Sequence, residues 1–272
     1  MNLRLLSAAD AKRGRLPIVG DLQLETITAP GRLLDVAYQL LSETFAPDVL
    51  PSLEFFLSSL SPASRRDRES RLLFVTASLP FGDERVLVGC SSAHLLRLEG
   101  RRELALSAIG NIAVSPHLPA LGVRGVGSRL LAATDDAASS LATELGCRLA
   151  YGVAEAETRS LGFWRKQGYR RPEGLEYWQP PLEFQPSGAP LYPEVRETLV
   201  VRPIPPSPPE TIERELVIDV IRTLYEQWSL RRQRSLLTPA AMAAAETYVM
   251  ERVLKKSVAT IPAASLVPLR EP

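Results

Sequence analysis

The spacing of apolar and polar residues predicts a strand and a helix in the first part of the chain. From Asp21 the run DLQLETIT alternates apolar and polar residues, as a half-buried strand does. The following run GRLLDVAYQLLSETF repeats apolar residues at helical spacing. Three strand-like runs come next, which predict an antiparallel meander because turn-forming residues at Pro80, Gly82, Asp83 and Gly100 separate them. They are RLLFVTAS, ERVLVGCSSAHLLRLEG and RRELALSAIGNIAVSP.

A helix, a strand and a second helix are predicted after the meander. The run GSRLLAATDDAASSLATELG is amphipathic and ends at Gly146, where we expect a left-handed C-cap. The run CRLAYGV predicts a strand, and AEAETRSLGFWRKQG predicts a helix that ends at Gly168. The run YRRPEGLEYWQPPLEF then predicts a final hairpin with its turn near Pro172 to Gly174.

Proline becomes frequent from Gln179 to Pro209, a segment that contains the strand-like run ETLVVRP and ends in PIPPSPP. This composition is typical of a linker or of an arm that lies along the surface. Two helices are predicted beyond it, from Thr211 to about Arg234 and from Thr238 to about Lys256. Thr238 is the expected N-cap of the second helix, because Pro239 follows at the first helical position.

The first of these helices carries an apolar stripe formed by Leu216, Val220, Leu224 and Trp228. Two helices have no core of their own, so we expect the stripe to pack on the main domain or on another subunit. A homodimer through the C-terminal helices is the form that the second alternative favours.

Composition and charge exclude several classes of protein. The 272 residues are 45% hydrophobic and 23% charged, which is ordinary for a globular chain with one sizeable core and a smaller appendage. The 32 Lys and Arg residues nearly cancel the 31 Asp and Glu residues, so the net charge predicts neither a nucleic-acid nor a membrane partner. Two cysteines exclude a disulfide framework, and the apolar runs are too short for a secretory signal or a membrane span. We therefore expect a cytoplasmic protein.

The histidines and cysteines predict no metal site. His94 and His117 are the only histidines, and with two cysteines they do not reach the ligand count of a structural zinc site. His94 lies within a predicted strand and is expected to pack in the sheet. His117 lies in a loop, where acceptor binding is one interpretation of its role.

The stretch GNIAVSPHLPALGVRGVGSRLL carries the clearest chemistry. A strand runs to Pro116, a loop with glycines at Gly122, Gly125 and Gly127 follows, and a helix begins. Glycines let successive backbone N–H groups converge, and the helix start adds unpaired N–H groups and the positive end of its dipole. The stretch predicts a cradle for an anion such as a diphosphate, although a tight turn alone gives the same pattern. The dinucleotide-binding pattern is not met, because Leu130 stands where a third glycine is needed.

Three motifs in this order resemble the GNAT superfamily of acetyltransferases over about residues 20 to 183. They are the strand end Ala113-Val114-x-Pro116, the helix start G-x-G-x-x-L-L at 125–131, and F-W-R-K-Q-G-Y at 163–169. The resemblance implies an α/β (α+β) fold with a mixed, mostly antiparallel sheet and flanking helices. This chain adds a proline-rich arm and a helical pair. The predicted divisions are an N-terminal extension at 1–20, the acetyltransferase domain at 21–183, the arm at 184–209 and the helical extension at 210–272.

The resemblance also implies a function and its residues. It implies an acetyl-CoA-dependent N-acetyltransferase in which a primary amine, of a small molecule or a protein, attacks the thioester directly. No metal takes part. Residues Ile112, Ala113 and Val114 would hold the pantetheine arm, and Trp164 would contact the cofactor. The pyrophosphate would lie on the amides of Gly122, Val123, Arg124, Gly125, Val126, Gly127 and Ser128.

This sequence departs from the family pattern in ways that affect catalysis. Gly122 stands where the family usually has Gln or Arg, and HLPAL lengthens the approach from Pro116. Trp164 replaces a frequent tyrosine, so a proton for the thiolate would come from Tyr169 or water, or the thiolate would leave unassisted.

Acid-base groups are also displaced from their usual positions. Ala108 and Asn111 stand where many relatives carry a carboxylate. Glu155 or Glu157 is then the candidate base by position; we choose Glu157, with Asn111 as the substrate-orienting side chain. Glutamates at a helix start are also often solvated residues favoured by the dipole. The competing interpretations are a degenerate domain that binds coenzyme A or a protein partner without catalysis, and an interaction protein that acts through its C-terminal helices.

Overall fold

The computed structural model describes residues 3–13, 22–46, 50–61, 70–81, 83–204, 211–234 and 236–272. Within them the fold is mixed α/β, with a mostly antiparallel sheet and flanking helices, as predicted. The strands are β1 (Leu3–Leu5), β2 (Gln23–Thr26), β3 (Ser70–Phe81), β4 (Glu84–Arg97), β5 (Leu104–Val114), β6 (Arg148–Ala156), β7 (Arg171–Pro172), β8 (Tyr177–Gln179), β9 (Val195–Pro203), β10 (Thr211–Glu213) and β11 (Leu266–Arg270).

Most of the helices follow the predicted periodicity. The α-helices are α1 (Ala8–Arg13), α2 (Arg32–Thr44), α3 (Leu53–Ser59), α4 (Val126–Glu144), α5 (Leu161–Lys166), α6 (Arg214–Leu224), α7 (Arg231–Gln233), α8 (Pro239–Glu246) and α9 (Lys255–Val258). Short 3-10 turns lie at Leu118–Leu121 and Thr158–Ser160, and π-helical turns lie at Tyr225–Leu230 and Thr247–Leu254. In the part of the chain that the structure describes, every helix is too short or too polar to cross a bilayer.

The chain divides into two compact units. The first unit comprises Met1–Leu95 and Ile109–Leu145, and the second comprises Leu96–Ala108 and Gly146–Pro272. Strands β4 and β5 each contribute residues to both units.

The first unit is a sheet with helices on both faces. Its strand order is β2-β3-β4-β5, in which β2 is antiparallel to β3, and β1 pairs in parallel with β4. Val75 and Ala77 of β3 belong to the apolar cluster of α4. Phe74, the residue before Val75, belongs to the cluster of α2 and α3. Because successive strand residues point to opposite faces, the two clusters lie on opposite sides of the sheet.

The second unit joins strands β6, β8 and β9 to the C-terminal helices. Strand β9 lies between β6 and β8 and is antiparallel to both, and β10, β11 and β7 form a separate three-stranded sheet. Of the predicted stripe, Leu216, Val220 and Leu224 are buried in one core with Val153 and Leu199, and Trp228 packs against that core. The stripe thus packs on the sheet residues of its own chain, which was the first of the two alternatives.

The C-terminal segments show how the predicted elements begin. The Thr238 side chain caps α8 by accepting a hydrogen bond of 3.3 Å from the Ala241 amide, and Pro239 occupies the first helical position, as predicted. The run ETLVVRP forms most of β9, whose central residues are buried. The prolines at 205–209 and the turn residue Gly82 lie outside the described residues.

Three local predictions are wrong. The helix predicted from Thr211 begins at Arg214, because Thr211–Glu213 form β10 and pair with β11. The helix predicted from Ala154 begins later, because β6 continues to Ala156 through pairing with β9, and a 3-10 turn precedes α5. The predicted hairpin is not formed between its own strands. Instead β7 pairs with β11 and β8 pairs with β9. Both strands take partners that come much later in the chain, which local turn rules do not detect.

Candidate functional site

The glycine loop of the first unit contains two glycines whose backbone is in the left-handed conformation. Gly122, with φ of 70°, ends the 3-10 turn, and Gly125, with φ of 77°, immediately precedes α4. L-residues rarely adopt such φ values, so glycine is required at both positions. A Cβ added at either glycine would have no described atom within 4 Å, and Arg124 between them is exposed. The loop therefore presents open backbone to a ligand.

The hydrogen bonds of the loop narrow the set of amides that can hold an anion. The Gly122 amide donates to the Pro119 carbonyl at 3.1 Å, and the Val123 amide donates to the Leu118 carbonyl at 3.2 Å. The first bond of α4 runs from the Arg129 amide to the Gly125 carbonyl at 3.1 Å. The amides of Val126 and Gly127 precede that bond, so they are orphan donors of the helix start. The N–H groups that could hold an anion therefore lie at the beginning of α4, where the dipole of a 19-residue helix is positive.

The apolar residues of the loop fix it to the sheet of the same unit. Val123 and Val126 are buried in a cluster with Val86 and Leu130. Gly89 of β4 permits this packing, because a Cβ there would lie 2.8 Å from the Leu130 Cδ1 atom and 3.0 Å from the Ala113 carbonyl oxygen. Apolar packing thus holds the start of α4 close to Gly89 of β4 and to Ala113 of β5.

The strand end that precedes the loop has alternating exposure. Ile112 and Val114 are partly exposed, whereas Ala113 is buried. Asn111 is buried in the same unit, and its Oδ1 atom accepts a hydrogen bond of 3.1 Å from the Ser92 hydroxyl. His117 starts the 3-10 turn, and its amide donates to the Ser115 hydroxyl at 3.4 Å. The cradle residues and Asn111 therefore belong to one unit, while their roles in binding stay predictions.

The second unit contains a carboxylate that the sequence identified only as an alternative. Glu155 lies within β6, and its carboxylate accepts hydrogen bonds from the Tyr177 hydroxyl and, at 2.7 Å, from the Gln179 side-chain amide. Burial raises the pKa of Glu155 to about 7, against the two hydrogen bonds that lower it, and the nearby Glu197 charge adds to the rise. A carboxyl group with this pKa exchanges protons near neutral pH.

Tyrosines connect this carboxylate to the C-terminal helices. Tyr177 is buried, and burial followed by the Glu155 charge raises its pKa well above the usual value. Its ring centre lies 5.9 Å from that of Tyr225. The Tyr225 hydroxyl donates to the Trp178 carbonyl and lies 2.9 Å from the Ser257 hydroxyl. Tyr177, which donates to Glu155, thus packs beside a tyrosine from beyond position 220, and that tyrosine is bonded to the backbone of Trp178.

The remaining predicted residues of this unit have ordinary surroundings. Glu157 stands at the start of the 3-10 turn, forms an ion pair of 2.5 Å with Arg159, and leaves 44% of its side-chain surface exposed. Trp164 is buried, donates from Nε1 to the Ser160 hydroxyl at 3.2 Å, and packs its ring 4.9 Å from that of Tyr169. The catalytic role of Glu157 and the cofactor role of Trp164 stay predictions.

The described residues contain no group of three or more His, Cys, Asp and Glu side chains placed to hold a metal ion. They do contain a glycine-bounded helix start in one unit and, in the other, a carboxyl group whose pKa is raised to about 7.

Comparison with known proteins gives matches among solved structures alone. No family model matches the sequence, and no curated protein matches it. An acetyltransferase of Trypanosoma brucei has 22% identity and a TM-score of 0.39, over 56% of this chain and 95% of the other. A Bacteroides thetaiotaomicron protein described as a GNAT-family acetyltransferase has 17% identity and a TM-score of 0.46, over 76% and 98%.

A third similar structure is AAC(6')-Iy in complex with the bisubstrate analogue CoA-S-monomethyl-acetylneamine. It has 19% identity and a TM-score of 0.37, over 54% of this chain and 89% of the other.

Proposed function

We propose that the chain is an N-acetyltransferase that transfers an acetyl group from acetyl-CoA to a primary amine. The observation that supports this proposal is the start of α4, where left-handed glycines and helix-start amides follow, after one 3-10 turn, a strand end at which Ile112 and Val114 are partly exposed. An extended ligand with a diphosphate at one end and an amide-containing arm at the other fits such a sequence of groups. Coenzyme A has that chemistry.

The proposed reaction needs little from the protein beyond positioning. The amine nitrogen attacks the thioester carbonyl carbon, the carbon–sulfur bond breaks, and the sulfur leaves with its electron pair. The amine nitrogen loses one proton, and the thiolate takes up one. The amides of Val126 and Gly127 would bind the diphosphate, and residues 112–114 would hold the pantetheine arm.

The proton acceptor is proposed to be one of the two glutamates at the end of β6. Glu157 is the choice by sequence position. Glu155 has the chemistry of a general base at neutral pH, because its pKa is raised to about 7. The acceptor amine, from a small molecule or a protein, is left open within this proposal. A homodimer also stays a prediction, although the buried stripe of α6 no longer supplies a reason for it.

Coenzyme A affinity, measured by calorimetry, tests the cradle. Gly125→Ala and Gly146→Ala change two left-handed glycines that flank α4, with φ of 77° and 71° and no described atom near the added Cβ. Each should cost about 1–2 kcal/mol of stability. Only Gly125→Ala should weaken coenzyme A binding, because it moves the amides at the helix start. Equal affinity in the two variants would show that the cradle assignment is wrong.

Turnover on a panel of amines separates an enzyme from a degenerate domain. An active enzyme should release coenzyme A with at least one amine, with a rate that rises with pH and levels off above the pKa of its base. Glu155→Gln should remove that rise if Glu155 is the base, and Glu157→Gln should do so if Glu157 is. Binding of coenzyme A without turnover on any amine would favour the degenerate domain.

A further inference from the structure

The N-terminal segment 3–13 reaches the residues that lead into the glycine loop. Strand β1 pairs in parallel with β4, with Leu3 opposite Arg85 and Leu5 opposite Leu87. Helix α1 follows and packs against the 3-10 turn at Leu118–Leu121. That turn contains the residues that lengthen the approach from Pro116, and it ends at Gly122. The lengthened loop and the N-terminal segment therefore contact each other within the first unit.

A network of polar contacts fixes the start of α1. Ser7 and Asp10 form a capping box, in which the Asp10 amide donates to the Ser7 hydroxyl at 3.3 Å and the Ser7 amide donates to the Asp10 carboxylate at 2.9 Å. Arg4 binds the same carboxylate through two nitrogens at 2.6 Å and 3.1 Å, and it also reaches Glu84 of β4 at 2.8 Å. Asp10 is 3% exposed, and its bonds to Arg4 hold the pKa of its carboxyl far below the usual range. Asp10 thus joins the helix cap to the sheet.

Apolar packing extends this connection to the loop. Leu6 belongs to the same buried cluster as Leu118, Val123 and Val126. The 3-10 turn also fixes the loop through backbone hydrogen bonds. The Leu118 carbonyl accepts from the Val123 amide, and the Pro119 carbonyl accepts from the Gly122 amide. A displacement of α1 would therefore move the turn, and the turn would carry the backbone of the loop with it.

We propose that the segment 3–13 positions the loop for coenzyme A, with Asp10 as the positioning residue. This inference rests on the proposed function, since it assumes that the start of α4 binds the diphosphate. Asp10 does not touch the cofactor. It sets the place of α1 and thereby the place of the turn and of Gly122.

Helix caps in the first unit provide a matched test. Ser7 caps α1, and Ser52 caps α3 by accepting a bond of 3.3 Å from the Phe55 amide. Helix α3 belongs to the other apolar cluster of the unit. Ser7→Ala and Ser52→Ala should lower the melting temperature by similar amounts. Only Ser7→Ala and Asp10→Asn should weaken coenzyme A binding, by about fivefold to tenfold in calorimetry, which is the scale of a lost helix cap.

A kinetic measurement separates positioning from general loosening of the fold. In Asp10→Asn the KM for acetyl-CoA should rise by a similar factor while kcat stays unchanged, because the cofactor binds less well but reacts equally once bound. If Asp10→Asn is too unstable to purify, Ser7→Ala provides the same comparison with the ion pair to Arg4 intact.

The outcomes distinguish this inference from the proposed function. Coenzyme A binding that is weakened by Gly125→Ala but unchanged by Asp10→Asn and Ser7→Ala would overturn the positioning role and leave the cradle in place. Equal weakening by Ser52→Ala would also overturn it, because the effect would then follow stability alone. Failure of the unchanged protein to bind coenzyme A would overturn both proposals.

Discussion

The candidate sites of the two units are built from different groups, backbone in the first and side chains in the second. In the first unit the candidate site is made of backbone, with the amides of a helix start and left-handed glycines at which an added Cβ would meet open space. In the second unit it is made of side chains, with a partly buried carboxylate held by Tyr177 and Gln179. A backbone site follows from a short stretch of sequence, since glycines and a helix start are local features. A side-chain site needs strands that are distant in sequence to meet, so the sequence shows it poorly.

The largest expected effect is on the free energy of unfolding. It tests whether the core of the second unit can be destabilised while the glycine loop of the first unit still binds coenzyme A. Leu224→Ala removes a buried side chain of α6 and should lower the free energy of unfolding by about 2–5 kcal/mol. Leu236→Ala, at a position that is 69% exposed, is the matched control and should change it little. Denaturant unfolding measures both. Coenzyme A affinity at low temperature should stay the same, and a large loss of affinity would mean that the two regions do not work separately.

The next effect is a pH dependence of stability, which we expect from the partly buried carboxylate of the second unit. Glu155 has a pKa of about 7 in the folded chain against an ordinary value of 4.5. Between these values the folded protein keeps a proton that the unfolded chain has released, so stability falls as pH rises from about 4.5 to about 7. The melting temperature should follow this fall, and Glu155→Gln should remove it. Glu157→Gln should leave the fall unchanged, and an unchanged fall in Glu155→Gln would assign the titration to another group.

The smallest effect compares the helix caps of the two units. Thr238→Ala removes the cap of α8 and should cost about 0.5–2 kcal/mol in unfolding by denaturant. Unlike Ser7→Ala in the first unit, it should leave coenzyme A affinity unaltered. A matching loss of affinity would show that helix caps affect the ligand wherever they are.

Strands β2 to β5 and helices α2 and α4 of the first unit were predicted, because helices cover both faces of the sheet and leave clear apolar runs, whereas β1, α1 and α3 were not. The end of α4 at Gly146 is an example, since its φ of 71° is the expected left-handed cap. The end of β6 was not predictable, because the run AEAE fits both a helix and a strand. Pairing of Glu155 with Leu199 decides the strand, and that partner lies inside the proline-rich segment, 44 positions further along the chain.

The same difference between local and distant contacts explains which parts of the candidate sites were predicted. The glycine loop was identified from sequence, but the occupation of the Gly122 and Val123 amides by the preceding turn required the structure. Tyr177 and Gln179 lie in a run that was assigned to a hairpin, and their approach to Glu155 depends on β9 lying between their strands. Alternation in that run gave no sign of a carboxylate partner.

The parallel pairing of β1 with β4 has a consequence for the order of folding. Arg4 and Glu84 are 80 positions apart, and the residues between them include β2, α2, α3 and β3, which can pack with one another first. Closing so long a loop is slow compared with forming those neighbours, because chain entropy opposes it until the contact is made. We therefore expect residues 3–5 to be among the last of this unit to find their native partners.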